Sequence, residues 1–492
     1  MIVHGNAAVP TSVSDLVRRA ARVTPDQVAL VDEVTRLSWA ELDARVSAAA
    51  LALRGAGLDD GDRLALQLGT GVDFVLLYLG AGRAGLVVVP VNPAYTPPEL
   101  THVLNDSGAR LLVTGEAVAA ATPDRTTPAD LLERAPTGED PRRDRVGEDV
   151  AVLLYTSGTS GRPKGAMLST RALLANLAQV AALDPPMITS SDVAFVPLPL
   201  FHVFGLNAGL GIALQAGATT VLADRFDPAE SLATMAAEHA TVVIGAPGMF
   251  AQWARMDLGP AFGSVRYALS GSAPLPAALV EQYASHDIVL YEGYGLTEAA
   301  PAVTLNRSRK GGSIGAPLPG VEIELRDQDG SPIDEDDDPG ELFVRGPNLF
   351  SGYWPDGSGG PDAHGWFGSG DIAVRDDDGD LILVGRSSEL VLVNGFNVYP
   401  AEVESVLGAQ PGVAEVAVVG ADDPDTGEAV VAYVVPAAGA SVDPNRLLAA
   451  ASRSLAKFKL PREVSVVPTL PHTVTGKVMK WRLRGEPPYG AE

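Results

Sequence analysis

The sequence predicts an α/β fold: a large N-terminal domain of several subdomains with layered β-sheets and helices, followed by a small α+β domain. The chain has 492 residues, which is too long for a single hydrophobic core. Short apolar runs alternate with amphipathic helical segments up to about residue 385, as in layered α/β domains. After residue 386 the pattern changes to strands, hairpin turns and isolated helices. We therefore expect domains at residues 1–385 and 386–492.

Local periodicity defines the N-terminal elements. The stretch LSWAELDARVSAAALALRGAGL (37–58) repeats apolar residues every three or four positions and stops at glycines, which predicts an amphipathic helix. Short apolar runs bounded by turn residues predict buried strands, namely DRLALQL, GLVVVPVN, ARLLVTG and ATTVLA. Residues 193–223 carry no Asp, Glu, Lys or Arg, but their prolines and polar residues favour a buried helix with a leading loop over a membrane span.

Hairpins and short helices define the C-terminal part. Strand-like segments flank the acidic cluster 334–338, which we interpret as a solvated loop because it lacks the spacing of an EF-hand. ELVLVNGFNVYP (389–400) predicts two strands joined by an Asn-Gly turn. A helix starting at Pro400, the strands VAEVAVVG and EAVVAYVVP, a helix from about 443 to 456 and the strand EVSVVP complete the domain.

Composition excludes several classes of function. The net charge of −25 argues against a nucleic-acid partner and against an anionic membrane surface. The chain has no cysteine, so any thiol chemistry must use an external sulfur. The N-terminus lacks a basic segment followed by an apolar one, which predicts a cytoplasmic protein without stable membrane insertion.

The stretch YTSGTSGRPKGAML (155–168) combines four aliphatic hydroxyl groups, three glycines and a lysine directly after an apolar run. A glycine-rich stretch between a strand and a helix can bind phosphate through backbone N–H groups, with the lysine adding a positive charge. The Walker A motif is excluded, because neither Lys164 nor Lys477 is followed by Ser or Thr. A plain surface loop remains the alternative.

Several further motifs appear in an order that resembles the adenylate-forming superfamily, which includes acyl-CoA synthetases. They are GSAP (271–274), YEGYGLTEAAP (291–301), GELFVRGPNLFSGYW (340–354), GWFGSGDIA (365–373), GRSSELVLVNGFNVYPAEVE (385–404) and TVTGKVMKWRLR (473–484). The resemblance implies that the protein forms an acyl adenylate from a carboxylic acid and ATP, and then passes the acyl group to coenzyme A.

The resemblance also implies roles in nucleotide binding. Thr156 and Glu298 would hold Mg²⁺, although Glu298 could instead form a surface salt bridge. Tyr294 would stack on adenine unless it is a core aromatic, Asp371 would bind the ribose hydroxyls, and Arg386 would contact the ribose or phosphate. The remaining nucleotide contacts would come from Ser157, Gly158, Thr159, Ser160, Gly161, Lys164, Gly271, Ser272, Ala273, Gly295 and Thr297.

The resemblance places the adenylation lysine at Lys477, although TGK could also be a solvated turn. It further implies that the small domain is mobile and rotates after adenylation, so that the hairpin around Gly395 lines a pantetheine tunnel. Ser388 stands at the expected hinge, where the family usually has Lys or Asp. A homodimer is an open alternative for the oligomeric state.

The acyl substrate is expected to be a medium- or long-chain fatty acid. Gly293 stands where malonyl-type enzymes of the superfamily have an arginine, and His202 stands where amino-acid adenylation domains have an aspartate. Both substitutions favour an apolar acid, with Phe204 in the pocket wall and His202 near the carboxylate or simply packed in the core. A ligase that loads a carrier protein, a non-catalytic nucleotide-binding protein and a luciferase-like oxygenase are the alternatives.

Overall fold

The computed structural model describes residues 10–115, 124–133, 141, 143–156, 163–327, 329–333, 338–393, 396–423, 426–473 and 476–484. The chain forms two compact units. The first contains the described residues of Met1–Gly311, Gly315–Glu322 and Arg345–Phe367, and the second those of Gly312–Ile314, Ile323–Val344 and Gly368–Glu492. The predicted fold class, with layered sheets and helices followed by a smaller C-terminal part, is confirmed.

The strands in the described part of the chain are β1 (Val28–Val31), β2 (Arg36–Ser38), β3 (Arg63–Gln67), β4 (Val87–Pro90), β5 (Leu111–Thr114), β6 (Asp124–Thr126), β7 (Val150–Thr156), β8 (Lys164–Ser169), β9 (Val193–Val196), β10 (Thr219–Leu222), β11 (Val242–Gly245), β12 (Tyr267–Ser270), β13 (Leu290–Gly295), β14 (Ala302–Asn306), β15 (Ala316–Pro317), β16 (Glu322–Arg326), β17 (Gly340–Arg345), β18 (Trp366–Arg375), β19 (Leu381–Arg386), β20 (Val391–Val393), β21 (Phe396–Val398), β22 (Val413–Asp423), β23 (Gly427–Pro436) and β24 (Glu463–Val466).

The α-helices in the same residues are α1 (Val13–Val23), α2 (Trp39–Gly55), α3 (Val72–Arg83), α4 (Pro97–Ser107), α5 (Pro128–Glu133), α6 (Thr170–Ala181), α7 (Ile212–Ala216), α8 (Pro228–Ala237), α9 (Pro247–Trp253), α10 (Gly259–Phe262), α11 (Ala277–Ala284), α12 (Pro400–Gly408), α13 (Pro444–Ala451) and α14 (Lys480–Leu483). A π-helix covers Phe204–Gly211, and 3₁₀ turns cover Thr297–Ala299, Ser387–Glu389 and Lys457–Lys459.

Two sheets organise the first unit. One has the strand order β6-β5-β3-β4-β7-β8, and the other has the order β15-β14-β13-β12-β11-β9-β10-β1-β2. Their central strands pair in parallel, as the buried apolar runs predict, and antiparallel strands lie at the edges. The parallel neighbours β12 and β13 align Ser270 with Glu292, so their carboxyl ends lie side by side.

The predicted helix at 37–58 is confirmed as α2. Ser38 and Glu41 form a capping box, in which each side chain accepts a hydrogen bond from the other residue's backbone N–H. The helix ends at Gly55, as predicted from the glycines. Its buried side chains include Trp39, which is fully inaccessible to solvent.

Residues 193–223 differ in detail from the expected buried helix with a leading loop. The segment begins with β9 and ends with β10, and its helical part is the π-helix followed by α7. The π-helix is completely buried. Within the described residues, no helix combines the length and the apolar character needed to span a bilayer.

The second unit contains a sheet in which β21-β20-β23-β22 lie in this order and β24 pairs with β23. Helices α12 and α13 pack on it, around a core that includes Val391, Val403 and Val430. The predicted hairpin strands are β20 and β21, which are antiparallel, and α13 is shorter than the predicted 443–456. Strands β16-β17-β18-β19 form a further sheet that lies mostly in this unit. The domain boundary at residue 386 stays a prediction.

Candidate active site

Two antiparallel strands carry the ends of the glycine-rich stretch. Thr156, the last residue of β7, pairs with Lys164, the first residue of β8. The expected arrangement between a strand and a helix is therefore wrong, because the stretch joins two strands of one sheet. The phosphate-binding candidates Ser157, Gly158, Thr159, Ser160 and Gly161 lie outside the described residues.

Helix α4 and a tryptophan support both strands, which sequence reasoning did not identify. The Tyr155 hydroxyl donates a hydrogen bond to Asp106 Oδ2 over 2.6 Å, and Trp354 Nε1 donates to the Asp106 carbonyl over 2.9 Å. His102 Nε2 lies 3.0 Å from the carbonyl oxygen of Pro163, just before β8. These contacts fix the positions where the chain enters and leaves the stretch.

Glu298 lies on the 3₁₀ turn that begins at Thr297, directly after β13. The Tyr353 hydroxyl donates a hydrogen bond to Glu298 Oε1 over 2.7 Å. Tyr353 also forms a β-bridge with Ala166, and Lys164 Nζ lies 5.5 Å from the centre of its ring. Tyr353 thus connects the predicted metal ligand to the strand that begins with the predicted phosphate-binding lysine.

Burial, and then the neighbouring Glu298 carboxylate, raises the pKa of Tyr353, so its hydroxyl stays protonated and acts as a donor. Sequence reasoning identified Tyr353 only as part of a family motif and assigned it no role. Its partner Glu298 is 55 positions away in the sequence.

Thr156 and Glu298 have the chemistry of a magnesium site. Thr156 Oγ1 is buried and has no hydrogen-bond partner among the described residues, so a ligand that takes up its lone pair would satisfy it. Mg²⁺ prefers oxygen ligands and commonly uses one or two protein groups together with phosphate oxygens and water. No group of three or more His, Cys, Asp or Glu side chains that could hold a metal ion occurs in the described ranges.

The predicted adenine walls come together at the ends of β12 and β13. A Cβ atom added to Gly271 would lie 3.3 Å from the Gly293 carbonyl oxygen. Ser272 has a left-handed backbone with φ of 70°, and its buried Oγ has no partner within the described parts of the chain. Ala273 follows in the same loop, and Tyr294 is half-buried on β13.

The glycine at position 295 is required by close packing. A Cβ atom there would lie 2.1 Å from the Pro301 carbonyl oxygen, which is inside van der Waals contact. The Leu296 N–H donates to the same carbonyl over 3.0 Å. The backbone of the turn that carries Thr297 and Glu298 therefore folds back tightly on itself.

Glu292 is a buried acid that sequence reasoning missed. It is 9% exposed, and its Oε1 accepts a hydrogen bond from the Leu275 N–H over 3.0 Å. This contact ties strand β13 to the loop that follows β12. Burial raises the pKa of Glu292 to about 7, and the hydrogen bond from Leu275 opposes that rise.

The predicted acyl-pocket residues His202 and Phe204 lie at the start of the π-helix. His202 is half-buried, and its Nδ1 accepts a hydrogen bond from the Phe204 N–H over 3.2 Å. Phe204 is buried, and a Cβ atom added to Gly271 would lie 2.9 Å from its Cζ. The structure thus brings Phe204, Gly271 and Gly293 together, and a side chain at position 271 would require the Phe204 ring to shift.

Asp371 and Arg386 pair within the second unit. They face each other on β18 and β19, and Arg386 Nε lies 2.9 Å from Asp371 Oδ1. Asp371 is 6% exposed, and the guanidinium offsets part of the cost of burying its charge. Asp371 was predicted to bind the ribose hydroxyls, and Arg386 to contact the ribose or phosphate.

Lys477 follows Gly476, whose φ of 83° favours glycine, in a turn based on Thr473. The Thr473 N–H donates to the Lys477 carbonyl over 2.8 Å, and the Lys477 N–H donates to Thr473 Oγ1 over 3.1 Å. Lys480, three residues later, is held by Glu389 at 2.7 Å and by Glu404 at 2.9 Å. The lysine-bearing segment is therefore anchored on both sides.

Desolvation by the surrounding protein, and then the positive charge of Arg386, lowers the pKa of Lys477 to about 8. Asp371 and Glu389 act in the opposite direction. Lys477 is nevertheless an exposed residue, so solvent screening moderates the effect. The predicted tunnel residue Gly395 lies outside the described residues.

Comparison with known proteins gives matches over nearly the whole chain. The model of the AMP-binding enzyme family matches residues 17–354, and that of the AMP-binding enzyme C-terminal domain matches residues 402–477. A feruloyl-CoA synthase from Amycolatopsis sp is 38% identical, with 95% of this chain and 97% of the relative covered. A long-chain-fatty-acid–CoA ligase from Yersinia pestis is 32% identical, with 97% and 94% covered. ATP-bound MatB from Rhodopseudomonas palustris superposes with a TM-score of 0.89 at 34% identity, covering 96% of this chain and 98% of MatB.

Proposed function

The chain belongs to the AMP-binding enzyme family as an ATP-dependent acyl-CoA synthetase of the adenylate-forming superfamily, and we propose that it activates an apolar monocarboxylic acid. The reaction would join the acid to the α-phosphate of ATP with release of pyrophosphate. Attack of the coenzyme A thiol on the acyl adenylate would then release AMP.

The observation that carries the proposal is that one residue, Tyr353, contacts both a predicted phosphate-binding group and a predicted metal ligand. Tyr353 contacts both the Glu298 carboxylate and the Lys164 side chain, and the Thr156 hydroxyl, at the strand end paired with Lys164, has no hydrogen-bond partner within the described residues. These groups would hold the phosphates and Mg²⁺ of the nucleotide. Lys477 would stabilise the negative charge that develops when the carboxylate approaches the α-phosphate.

Two kinds of apolar acid are candidates. A medium- or long-chain fatty acid is the prediction from the sequence, and a relative named as a long-chain ligase supports it. An arylpropenoic acid of the feruloyl type is supported by the feruloyl-CoA synthase. The Phe204 ring lies close to Gly271, so an aromatic ring would form part of the acyl wall, which favours a flat acyl group that can stack beside it.

Pyrophosphate release tests this proposal over a panel of acids that contains ferulic acid and fatty acids of 8 to about 18 carbons, matching the two candidate classes. Each acid is incubated with coenzyme A, with a phosphopantetheinyl carrier protein, or with neither, and the products are identified by mass spectrometry. The expected products are AMP, pyrophosphate and an acyl-CoA. ADP in place of AMP would refute the reaction class, and thioester formation only on the carrier protein would assign the alternative ligase activity.

A further inference from the structure

Four buried side-chain amides surround the turn that carries Glu298. We call them the amide clamp: Asn176, Gln179, Asn207 and Asn348. Their exposed fractions are 1%, 5%, 1% and 0%, respectively. They come from helix α6, the π-helix and the loop after β17, so three separate parts of the first unit converge on one turn.

Three members of the amide clamp hold the backbone of residues 299–302 directly. Their hydrogen bonds are Asn348 Nδ2 to Ala299 O at 2.8 Å, Asn207 Nδ2 to Ala300 O at 2.7 Å, Asn176 Nδ2 to Ala302 O at 2.8 Å, and Ala302 N to Asn176 Oδ1 at 3.1 Å. The carbonyl of Glu298 itself accepts from the Phe350 N–H over 2.8 Å. Each carbonyl from 298 to 300 therefore has a fixed donor from outside the turn.

Gln179 links two of the other members, Asn348 and Asn176. Its Nε2 donates to Asn348 Oδ1 over 3.2 Å, and its Oε1 accepts from Asn176 Nδ2 over 3.2 Å. Buried polar side chains are costly unless they are hydrogen-bonded, so a connected set at one turn indicates a demand for precise backbone placement. Neutral amides provide that placement without adding a charge beside the Glu298 carboxylate.

The turn needs outside support. Ala300 has a φ of 63°, in the left-handed region that is unfavourable for a residue with a Cβ atom. Such a conformation persists where the surrounding structure over-determines it, and it is frequent at functional sites. Asn207 binds the carbonyl of this strained residue.

We propose that the amide clamp positions the Glu298 carboxylate for Mg²⁺, so that Asn207 and Asn348 are positioning residues of the nucleotide site. The inference rests on the proposed function, in which Glu298 is a metal ligand. Outer partners of metal ligands commonly change metal affinity by about tenfold or more when they are removed. Because Asn207 belongs to the π-helix that starts at Phe204, the clamp also connects the proposed acyl wall to the metal ligand.

The test measures how much Mg²⁺ strengthens binding of α,β-methylene-ATP to the full chain, by calorimetry with Mg²⁺ or with EDTA. This nucleotide cannot form an adenylate, so the acid need not be known. We expect Asn207→Leu to reduce the gain in affinity by about tenfold in the wild-type background. In a Glu298→Gln background, we expect Asn207→Leu to change the affinity with Mg²⁺ by less than about twofold, because the clamp acts through the Glu298 carboxylate.

Gln67→Leu is the matched control, since Gln67 is a buried amide of the same unit that donates to Pro93 O and does not touch the turn. The Gln67→Leu variant is expected to show the same increase in nucleotide affinity with Mg²⁺ as the wild-type protein. Should Asn207→Leu not fold, Gln179→Leu replaces it, because it removes the hydrogen bonds that Gln179 makes with Asn348 and Asn176 and no contact with the turn itself. Two results would overturn the amide clamp alone. In the first, Asn207→Leu weakens nucleotide binding with Mg²⁺ equally in the wild-type and Glu298→Gln backgrounds. In the second, Asn207→Leu leaves the Mg²⁺-dependent gain in affinity unchanged, whereas Glu298→Gln abolishes that gain. A wild-type protein without any gain from Mg²⁺ would overturn the metal role of Glu298, and the clamp with it.

Discussion

Replacing Glu292 by glutamine should stabilise the protein in a pH-dependent way. The pKa of Glu292 rises from its ordinary value of 4.5 to about 7 in the folded state. The folded protein therefore holds this proton more tightly than the unfolded chain does. The stability associated with the protonated group is fully present below pH 4.5 and is lost as pH rises to about 7. The complete loss corresponds to roughly 3 kcal/mol, of which about 2 kcal/mol falls between pH 5.5 and 8.5.

Glutamine keeps the acceptor for the Leu275 N–H but cannot ionise. The Glu292→Gln variant therefore does not lose the stability that the wild-type protein loses when Glu292 ionises. Urea unfolding at the two pH values measures the free energy of unfolding. The variant should gain about 2 kcal/mol more over wild type at the higher pH than at the lower. Glu281→Gln is the control, since Glu281 is an exposed acid of the same unit and the net charge changes equally. An equal effect of both substitutions at both pH values would refute the assignment of a buried, proton-binding Glu292.

Three further outcomes are expected. Adenylation should slow as pH rises above about 8, because Lys477, whose pKa lies below its ordinary value of 10.5, then loses its charge. Lys477→Arg should move this decline to higher pH, and a decline at the same pH in the variant would assign it to another group. Tyr353→Phe removes the hydrogen-bond donor to Glu298 and should raise the Mg²⁺ concentration that gives half-maximal pyrophosphate release by about tenfold. An unchanged Mg²⁺ requirement would show that Tyr353 is not needed to orient Glu298. Asp43→Asn leaves the fully buried Arg83 guanidinium without its carboxylate partner and should lower the free energy of unfolding, measured by urea titration, by about 2 kcal/mol. A smaller loss would show that Ser47 and backbone carbonyls are sufficient to stabilise the buried guanidinium.

Elements with local signals were predictable from the sequence. The capping residues and glycines of α2 and the apolar runs of the first unit's sheets act over a few residues, and their structures agree with the predictions. The π-helix was not predictable, since a completely buried run with a single polar residue, Asn207, gives no periodicity that separates it from an α-helix.

The candidate site was predictable only where a motif fixes it. Glu298 and Lys164 were found from motifs, but the contact with Tyr353 connects residues 55 positions apart, and no local pattern encodes that distance. The raised pKa of Glu292 arises from burial, which depends on how β12 and β13 pack. The amide clamp likewise exists only after α6, the π-helix and the loop at Asn348 have met.

The width of the π-helix constrains how substrate preference can be re-engineered. Its hydrogen bonds span five residues, one more than in an α-helix. Deleting one residue would restore the ordinary spacing and turn the flanking segments by about 100° relative to each other. Phe204 and Asn207 would then no longer reach Gly271 and the Ala300 carbonyl together. Grafts taken from relatives should therefore preserve the chain length between His202 and Gly217. Exchanges of equal length would keep Phe204, in the proposed acyl wall, and Asn207, which supports the Glu298 turn, in their present relative positions.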